Sequence, residues 1–229
     1  MVKIPFQIVG FDLDGTLLDT AADLGAAVNH ALALVGRAAV PPEQVSALIG
    51  GGSRMMLARA LELTGGSEDI DLPPLYAALL GHYEANIAVH TALYPGGGAM
   101  LDALAASGAK LAVVTNKPEA LALKLLDALG LLARFDCVIG GGSPGIAALK
   151  PAPDPLYAMV ERLGGGEAAF VGDSSFDIRA ARSAGLPSVA VSFGFNDLPV
   201  DQLGAEAVID HFDELIPALA GLQDVMTLG

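Results

Sequence analysis

Short apolar runs alternate with helical patterns along most of the 229-residue chain, and this alternation constrains the fold more than any other feature. The apolar runs predict six strands, at residues 7–11, 110–115, 137–140, 168–172, 188–192 and 207–210. Helical patterns between them predict helices at residues 97–107, 118–129, 154–163 and 176–184. Strands and helices in this order are typical of an α/β protein whose parallel sheet is covered by helices on both faces.

One stretch, residues 19–90, breaks the alternation because it contains helical patterns only, at residues 21–35, 42–48, 53–63 and 72–89. We therefore expect a core domain formed by residues 1–18 and 91–229, and an inserted all-helical domain at residues 19–90. A single α/β domain with a helical excursion is the alternative. Thr20 and Asp23 are spaced like an N-terminal capping box with Asp in place of Glu. Residues 94–98 have the Gly and Pro composition of a hinge, which a water-excluding lid would need.

Polar side chains follow the predicted strands at the points where the strands end. Because ligands of parallel α/β sheets bind outside the carboxyl ends of the strands, these side chains predict a single site. They are Asp12, Asp14, Thr115, Asn116, Lys150, Asp173 and Asp177.

The first two of these residues, Asp12 and Asp14, carry carboxylates that repel each other, and no basic residue lies near them in sequence. A bound cation, or chemistry that uses both acids, would explain the pair. Each polar residue also has a purely structural alternative: Asp-Gly is an ordinary turn signal, Lys150 could be a solvated loop lysine, and acids are favoured at helix N-termini. The four histidines show no metal-ligand spacing.

The chain carries 12 basic and 26 acidic residues, which give a net charge of −14 at pH 7. This excess argues against nucleic acid or an anionic membrane as a partner, whereas a small anionic substrate remains compatible if a metal ion and a few cations reverse the sign locally. No segment is apolar over the roughly 18 residues of a spanning helix, and residues 1–6 lack a signal-peptide core. The single cysteine, Cys137, fits a reducing compartment. We expect a cytoplasmic monomer or homodimer.

Four motifs, in chain order and over essentially the whole chain, closely resemble those of the haloacid dehalogenase superfamily of phosphotransferases. They are Asp12-x-Asp14-x-Thr16, Thr115-Asn116, Lys150-Pro151 and the segment from Asp173 to Asp177. The resemblance implies a Rossmann-like parallel sheet with a helical cap inserted after the first motif. It also implies phosphoryl transfer through an aspartyl-phosphate formed on Asp12.

The same resemblance implies roles for the other motif residues. Asp14 would protonate the leaving oxygen and then activate the attacking water. Thr115 and neighbouring backbone N–H groups would hold phosphoryl oxygens, and Lys150 would supply a fixed positive charge. Mg²⁺ would be held by oxygen ligands, with Asp177 binding it directly or through a water. These ligands are Asp12, the backbone carbonyl of Asp14, Asp173 and Asp177.

Within the superfamily, the presence of Asp14 argues against a dehalogenase. No lysine lies between Lys3 and Lys110, so residues 19–90 cannot supply the Schiff-base amine of a phosphonatase. The resemblance then implies a Mg²⁺-dependent phosphomonoesterase for a small anionic phosphorylated substrate, with 2-phosphoglycolate as the first expectation. A phosphatase for sugar phosphates such as N-acetylmuramic acid 6-phosphate, a phosphomutase, and a non-catalytic regulator of the same fold are the alternatives.

Six further residues are candidates for binding the substrate: Thr16, Asn116, Gly51, Gly52, Arg54 and Arg59. A glycine turn can approach an active site closely because glycine tolerates backbone conformations that other residues avoid. Arg54 or Arg59 could bind a substrate carboxylate as a two-pronged donor, although both could equally lie on the outside of a helix. Residues 142–149 are less polar than the corresponding loop of such phosphatases, which leaves the choice of substrate open.

Overall fold

A computed structural model of the chain describes residues 4–226, with side chains described up to residue 222. Residues 1–3, which entered the signal-peptide argument, and residues 227–229 of the predicted core domain lie outside the described part. The strands are β1 (Ile8–Phe11), β2 (Leu18–Asp19), β3 (Ala92–Leu93), β4 (Lys110–Pro118), β5 (Cys137–Gly141), β6 (Ala168–Gly172), β7 (Ser188–Val191) and β8 (Ala207–Ile209). The helices are α1 (Ala21–Leu34), α2 (Pro42–Val45), α3 (Ser53–Leu63), α4 (Leu72–Ala85), α5 (Gly97–Ala106), α6 (Glu119–Ala128), α7 (Asp154–Arg162), α8 (Ser175–Ala184), α9 (Val200–Leu203) and α10 (Leu215–Met226).

Six of the strands form one parallel sheet in the order β5-β4-β1-β6-β7-β8. The first strand lies near the middle, where Phe11 pairs with Val113 of β4 on one side and with Val171 of β6 on the other. The prediction of a parallel α/β sheet is confirmed, and all six predicted strands are present. Because the strands run parallel, their carboxyl ends meet at one edge, where the candidate site lies.

Side chains alternate along the strands between two separately packed faces, as the period of two in a strand requires. In β1, Val9 belongs to a large apolar core on one face and Ile8 to a smaller core on the other. Leu101 of α5 and Leu125 of α6 pack in the larger core. Met159 of α7 packs in the smaller core. Helices therefore cover both faces, which explains why the strands are continuously apolar.

The segment between β2 and β3 contains α1–α4, close to the helices expected from the sequence. The fourth of these helices ends at Ala85 rather than at residue 89, because Asn86 leaves the helical conformation and its side chain donates to the carbonyl of His82. A 3₁₀ turn at Ser46–Leu48 follows α2. The expectation of helices only is wrong at Asp19, which pairs in β2 with β3. Two-residue strands carry no periodic signal, and the division into two domains remains a prediction.

The predicted capping box at the start of α1 is wrong. The side chain of Thr20 makes no capping hydrogen bond. Asp23 instead accepts hydrogen bonds from the backbone N–H groups of His90 and Thr91 and, at 2.7 Å, from the hydroxyl of Thr91. Burial alone would raise the pKa of Asp23, but these donors outweigh burial and hold the pKa below its ordinary value. Asp23 therefore joins the beginning of the helical segment to the chain that leaves it.

None of the helices in residues 4–226 combines the length and the apolar character needed to cross a membrane.

Candidate active site

The candidate site is centred on Asp12, the first residue after β1. Its backbone N–H donates to the carbonyl of Val171 at 2.9 Å, which extends the sheet pairing by one residue and fixes the direction of the side chain. Lys150 reaches the same point from the loop after β5, and its Nζ lies 2.9 Å from Asp12 Oδ1 and 2.6 Å from Asp177 Oδ1. The ammonium also donates to the carbonyl of Val114 at 2.8 Å. The lysine is thus buried between two acids.

The electrostatics of this cluster reflect burial of several like charges. Burial raises the pKa of Asp12 to about 6, with a further contribution from Asp177, although Lys150 opposes the shift. Burial and the neighbouring carboxylates of Asp177 and Asp12 raise the pKa of Asp173 well above its ordinary value. Burial disfavours the charged form of Lys150, but the two acids that it contacts outweigh burial and raise its pKa.

Asp173 follows β6, and donors from two segments of the chain hold its carboxyl group and backbone. Thr16 donates to Asp173 Oδ1 at 2.7 Å, and the backbone N–H of Phe195 donates to Oδ2 at 2.8 Å. Asn196 Nδ2 donates to the backbone carbonyl of Asp173 at 2.7 Å. A Cβ at Gly15, whose φ is +86°, would collide with this carboxylate, so glycine is required there for both conformation and space.

Asp177 lies one turn into α8 and is fully buried. Its Oδ1 contacts Lys150, and its Oδ2 accepts from the backbone N–H and the hydroxyl of Ser174, which completes a capping box at the start of the helix. The structural interpretation of this acid as a helix cap therefore holds alongside its place in the acidic cluster. The Lys150 cation already contacts Oδ1 of Asp177, and two donors of Ser174 contact Oδ2, so Asp177 is more fully engaged than Asp173 and suits contact with a metal through a water.

Asp12, Asp173 and Asp177 each offer a carboxylate oxygen, and these oxygens all lie within 4.8 Å of one another. Asp12 Oδ1 is buried, and among the described residues its polar contact is the Lys150 ammonium at 2.9 Å. Three buried carboxylates with a single lysine between them leave negative charge uncompensated, which a cation would relieve. A donor set made only of oxygens suits hard divalent cations such as Mg²⁺. The residues present therefore fit a divalent metal ion.

The carboxylate of Asp14, the second acid of the first motif, is not part of this cluster and forms an ion pair that sequence reasoning missed. Both oxygens of Asp14 accept from Lys117 Nζ, at 2.8 and 2.9 Å. Burial disfavours the charged lysine, but the adjacent Asp14 raises the pKa of Lys117 above its ordinary value. The only sequence signal for Lys117 was its position directly after Thr115-Asn116, at the end of β4.

A cavity separates the edge of the sheet from the helical segment. Asp12, Asp14, Thr115, Asn116 and Lys117 line it from the sheet side. Its other walls come from the Gly50–Gly52 turn, from α1, α3 and α4, and from the start of α6, and the residues there are Leu24, Ile49, Gly50, Gly52, Ser53, Met56, Leu79, Leu80, Tyr83, Pro118 and Leu121. The side chains on these other walls are mostly apolar, so charge is confined to the sheet side of the cavity.

The glycine turn comes close to the sheet, as expected from the sequence. Gly52 has a φ of +87°, and a Cβ there would lie 3.2 Å from the backbone carbonyl of Asn116, so both conformation and space favour glycine. The neighbouring Gly51 does not line the cavity and faces Met55 instead. Asn116 donates to the carbonyl of Lys150 at 2.9 Å, which links the second and third motifs.

Besides Gly51, three further predicted substrate-binding residues do not reach the cavity. Thr16 is fully buried and contacts Asp173. The guanidinium of Arg54 lies over the ring of Tyr76, 4.4 Å from its centroid. Arg59 donates to the backbone carbonyls of the 3₁₀ turn before Gly50, with the shortest contact at 3.2 Å to Ile49. Sequence spacing placed both arginines beside the glycine turn, but only the packing of α3 decided which way they face.

Comparison with known proteins defines the family. Residues 9–191 match the model of the family described as haloacid dehalogenase-like hydrolase. A phosphoglycolate phosphatase of Agrobacterium fabrum is 42% identical over 91% of this chain and 90% of its own length. The crystal structure of a predicted phosphoglycolate phosphatase from Haemophilus somnus superposes with a TM-score of 0.87 at 32% identity, over 93% of this chain and 97% of that one. The structure of CbbY from Rhodobacter sphaeroides in complex with phosphate has a TM-score of 0.78 at 25% identity, over 93% and 99%.

The parallel sheet, the four motifs at its carboxyl edge and these matches show that the chain belongs to the haloacid dehalogenase-like hydrolases. Within that family it is a phosphatase, because relatives about 40% identical to it over nearly their whole length are phosphoglycolate phosphatases. The resemblance inferred from the motifs is thereby confirmed.

Proposed function

We propose that the protein is a Mg²⁺-dependent phosphomonoesterase that hydrolyses 2-phosphoglycolate to glycolate through an aspartyl-phosphate on Asp12. The observation that carries this proposal is the placement of the buried Asp12 carboxylate between Lys150, at 2.9 Å, and the acidic pair Asp173 and Asp177, at the floor of the cavity. The substrate is taken from the name of the relatives, and the site supports it as follows.

The reaction requires a nucleophile that approaches a negatively charged phosphoryl group. Asp12 is held by the sheet and by Lys150, so its carboxylate needs little reorganisation before attack. The covalent aspartyl-phosphate divides one difficult hydrolysis into two easier steps. Lys150 remains beside Asp12 throughout and stabilises the charge that develops on the transferred oxygens.

Asp12, Asp173 and the backbone carbonyl of Asp14 would hold the metal ion, with Asp177 acting through a water. When bound, the ion neutralises the negative charge of the phosphoryl group and the carboxylates. Thr16 and Phe195 act on Asp173 from behind and keep its oxygens directed toward the cluster. Such outer contacts orient metal ligands and tune their affinity.

Proton transfer is assigned to Asp14 and phosphoryl binding to Thr115. Asp14 lies on the cavity wall, two residues after the nucleophile, where it can protonate the leaving oxygen and then take a proton from the attacking water. The hydroxyl of Thr115 accepts from the backbone N–H of Lys117 at 3.2 Å, which leaves its own hydrogen free to donate to a phosphoryl oxygen.

The size of the cavity favours a small substrate. The cavity has a volume of about 40 Å³, and most side chains on the helical side are apolar. A two-carbon acid suits this space better than a sugar phosphate such as N-acetylmuramic acid 6-phosphate. The helical insertion at residues 19–90 is proposed as the lid that separates the reaction from bulk water.

The test is phosphate release from a panel of phosphorylated metabolites, with Mg²⁺ or with a chelator. We expect the highest kcat/KM for 2-phosphoglycolate, and chelation should abolish turnover. Asp12→Asn should lower kcat by more than about 1,000-fold, because no other side chain can replace the nucleophile. Circular dichroism would verify that this variant is folded, and its retained turnover would refute the mechanism.

A second measurement separates the covalent intermediate from direct attack by water. Acid quenching of the wild-type protein during turnover of radiolabelled substrate should trap phosphate on the peptide that contains Asp12. Hydroxylamine should release that phosphate, as it does from acyl phosphates. Comparable kcat/KM values for sugar phosphates and 2-phosphoglycolate would refute the assignment of 2-phosphoglycolate as the preferred substrate, while the assignment as a phosphatase would stand.

A further inference from the structure

The cavity contains an anion-binding group that the phosphoryl chemistry does not require. Of the described residues that line it, Lys117 is the only cation. Its side chain is 4% exposed, and its ammonium contacts Asp14 on the cavity wall rather than the cluster around Asp12. Lys150 already serves the nucleophile, so a second buried lysine calls for another explanation.

The surroundings of Lys117 also point to a polar ligand. Its Nζ lies 4.5 Å from the centroid of the Tyr83 ring, which α4 presents from the helical side. Tyr83 and Asn116 line the same cavity: the buried hydroxyl of Tyr83 lies beside Lys117, and the buried side-chain oxygen of Asn116 has no hydrogen-bond partner among the described residues. Buried polar groups are normally paired, so unpaired groups that face a cavity indicate a bound partner.

The chemistry of the substrate places its second charge beside Lys117. In 2-phosphoglycolate a single methylene separates the ester oxygen from the carboxylate. The group that protonates the ester oxygen and the group that binds the carboxylate must therefore be neighbours. Asp14 and Lys117 are neighbours, at 2.8 Å, whereas the guanidiniums of Arg54 and Arg59 are engaged outside the cavity.

We propose that Lys117 binds the carboxylate of the substrate, with the hydroxyl of Tyr83 as a second donor, and that this contact draws the ammonium away from Asp14. The inference rests on the proposed substrate class, a small phosphorylated carboxylic acid. An ammonium has three N–H donors, and both oxygens of Asp14 lie within hydrogen-bond distance of it, at 2.8 and 2.9 Å. The arriving carboxylate competes for these donors and leaves an oxygen of Asp14 free to face the ester oxygen.

The decisive experiment compares two substrates that differ only in the second charge. 2-Phosphoglycolate carries the carboxylate, and 2-hydroxyethyl phosphate has a hydroxymethyl group in its place. Lys117→Met should raise the KM for 2-phosphoglycolate by about 10- to 100-fold, the loss expected for a charged hydrogen bond. The KM for 2-hydroxyethyl phosphate should change by less than about 3-fold, and Tyr83→Phe should produce a smaller effect of the same selectivity.

Binding without turnover provides a second readout. In an Asp12→Asn background, calorimetry should show that adding Lys117→Met raises the Kd for 2-phosphoglycolate by the same factor as it raises the KM. Adding Lys117→Arg instead should retain most of the affinity. Lys124→Met is the matched control, because Lys124 is an exposed lysine that pairs with Glu84 at 3.2 Å on the surface. It should leave both substrates unchanged.

Equal losses of kcat on both substrates, with binding unaffected, would overturn the proposal and leave Lys117 as a positioning residue for Asp14. An unchanged preference for 2-phosphoglycolate in Lys117→Met would also overturn it. Failure of the proposed function itself has a different signature, because the wild-type protein would then show no preference for the carboxylated substrate.

Discussion

The two sides of the cavity differ in how firmly their polar groups are held. Around Asp12 on the sheet side, Lys150, Asp173 and Asp177 each make several charged or hydrogen-bonded contacts with fixed parts of the core. On the helical side, the hydroxyl of Tyr83 has no partner among the described residues, and most neighbouring side chains are apolar. Asp14 and Lys117 form an ion pair on the sheet side, where the ring of Tyr83 from the helical side contacts Lys117.

This difference matches the two tasks of a phosphatase. Transfer of a phosphoryl group is the same for every substrate and gains from groups that do not reorganise. Selection of the rest of the substrate needs groups whose partners can be exchanged. The firmly held side therefore suits the chemistry, and the sparsely held side suits specificity.

The largest expected effect comes from removing the central cation of the firmly held side. Lys150→Met leaves the buried Asp12 and Asp177 without their common partner, so the free energy of unfolding should fall by about 3–5 kcal/mol. We also expect kcat to fall by about 1,000-fold, as when one preorganised charge is lost from an active site. Urea unfolding and steady-state kinetics measure the two effects. If Lys150→Met were as stable as the wild type, Lys150 would not be held more firmly than Lys117, whose partner Asp14 is nearer to solvent.

The next effect is the pH dependence of stability in the metal-free protein. The pKa of Asp12 is about 6 in the folded protein against 3.8 for an unperturbed Asp, so the folded state binds a proton more tightly than the unfolded state. The free energy of unfolding should therefore decrease as pH rises from about 4 to about 6, by up to about 3 kcal/mol. Saturating Mg²⁺ should abolish this decrease because the cation stabilises the ionised carboxylates.

The comparison that isolates this effect is urea unfolding of the wild type and of Asp12→Asn, both with a chelator, across that pH range. Acids outside the cluster titrate equally in both proteins, so the difference between the two curves reports Asp12 together with Asp173, whose pKa depends on the charge of Asp12. A difference that does not vary with pH would show that the carboxylate is not destabilised by its surroundings.

A smaller effect concerns the contact that joins α1 to the chain leaving the helical segment. Asp23→Ala removes the acceptor for three donors of His90 and Thr91 and should lower the free energy of unfolding by about 2–3 kcal/mol. Turnover at saturating substrate should change by less than about 2-fold, since the hydrogen bonds that Asp23 accepts come from His90 and Thr91, which do not line the cavity. Asp19→Ala is the control, because Asp19 is exposed and accepts one hydrogen bond, at 3.2 Å. If Asp23→Ala and Asp19→Ala lowered the free energy of unfolding equally, the hydrogen bonds of Asp23 to His90 and Thr91 would add no more stability than the single exposed bond of Asp19.

The smallest effect separates Arg59 from Lys117. Arg59→Ala removes long hydrogen bonds to the turn before Gly50 and should lower the free energy of unfolding by about 1 kcal/mol. The KM values for 2-phosphoglycolate and 2-hydroxyethyl phosphate should change together, by less than about 3-fold. A rise in the KM for 2-phosphoglycolate alone would indicate that Arg59, as predicted from the sequence, binds the carboxylate, and it would contradict the role proposed for Lys117.

Most of the fold could be predicted because the signals that specify it are local. Every strand of the main sheet begins or ends within a few residues of its predicted bounds, since buried parallel strands are continuous apolar runs. The pair β2–β3 could not be predicted, because two residues give no period and the partner of Leu18 is Leu93, far along the chain. The predicted capping box at Asp23 was wrong for the same reason. Local spacing indicated a cap, whereas the donors that Asp23 contacts, in His90 and Thr91, lie far along the chain.

The sequence by itself determined the parallel sheet and the set of acids and lysine at its carboxyl edge, because parallel strands bring residues at their ends together whatever lies between them. Only the tertiary structure decided which groups face the cavity. In the structure, Arg54 and Arg59 do not face the cavity, Thr16 donates a hydrogen bond to Asp173, and Lys117 lies between Asp14 and Tyr83. The physical reason is that the direction of a side chain depends on the packing of the helix or strand that carries it against distant segments, and spacing along one chain does not contain that information.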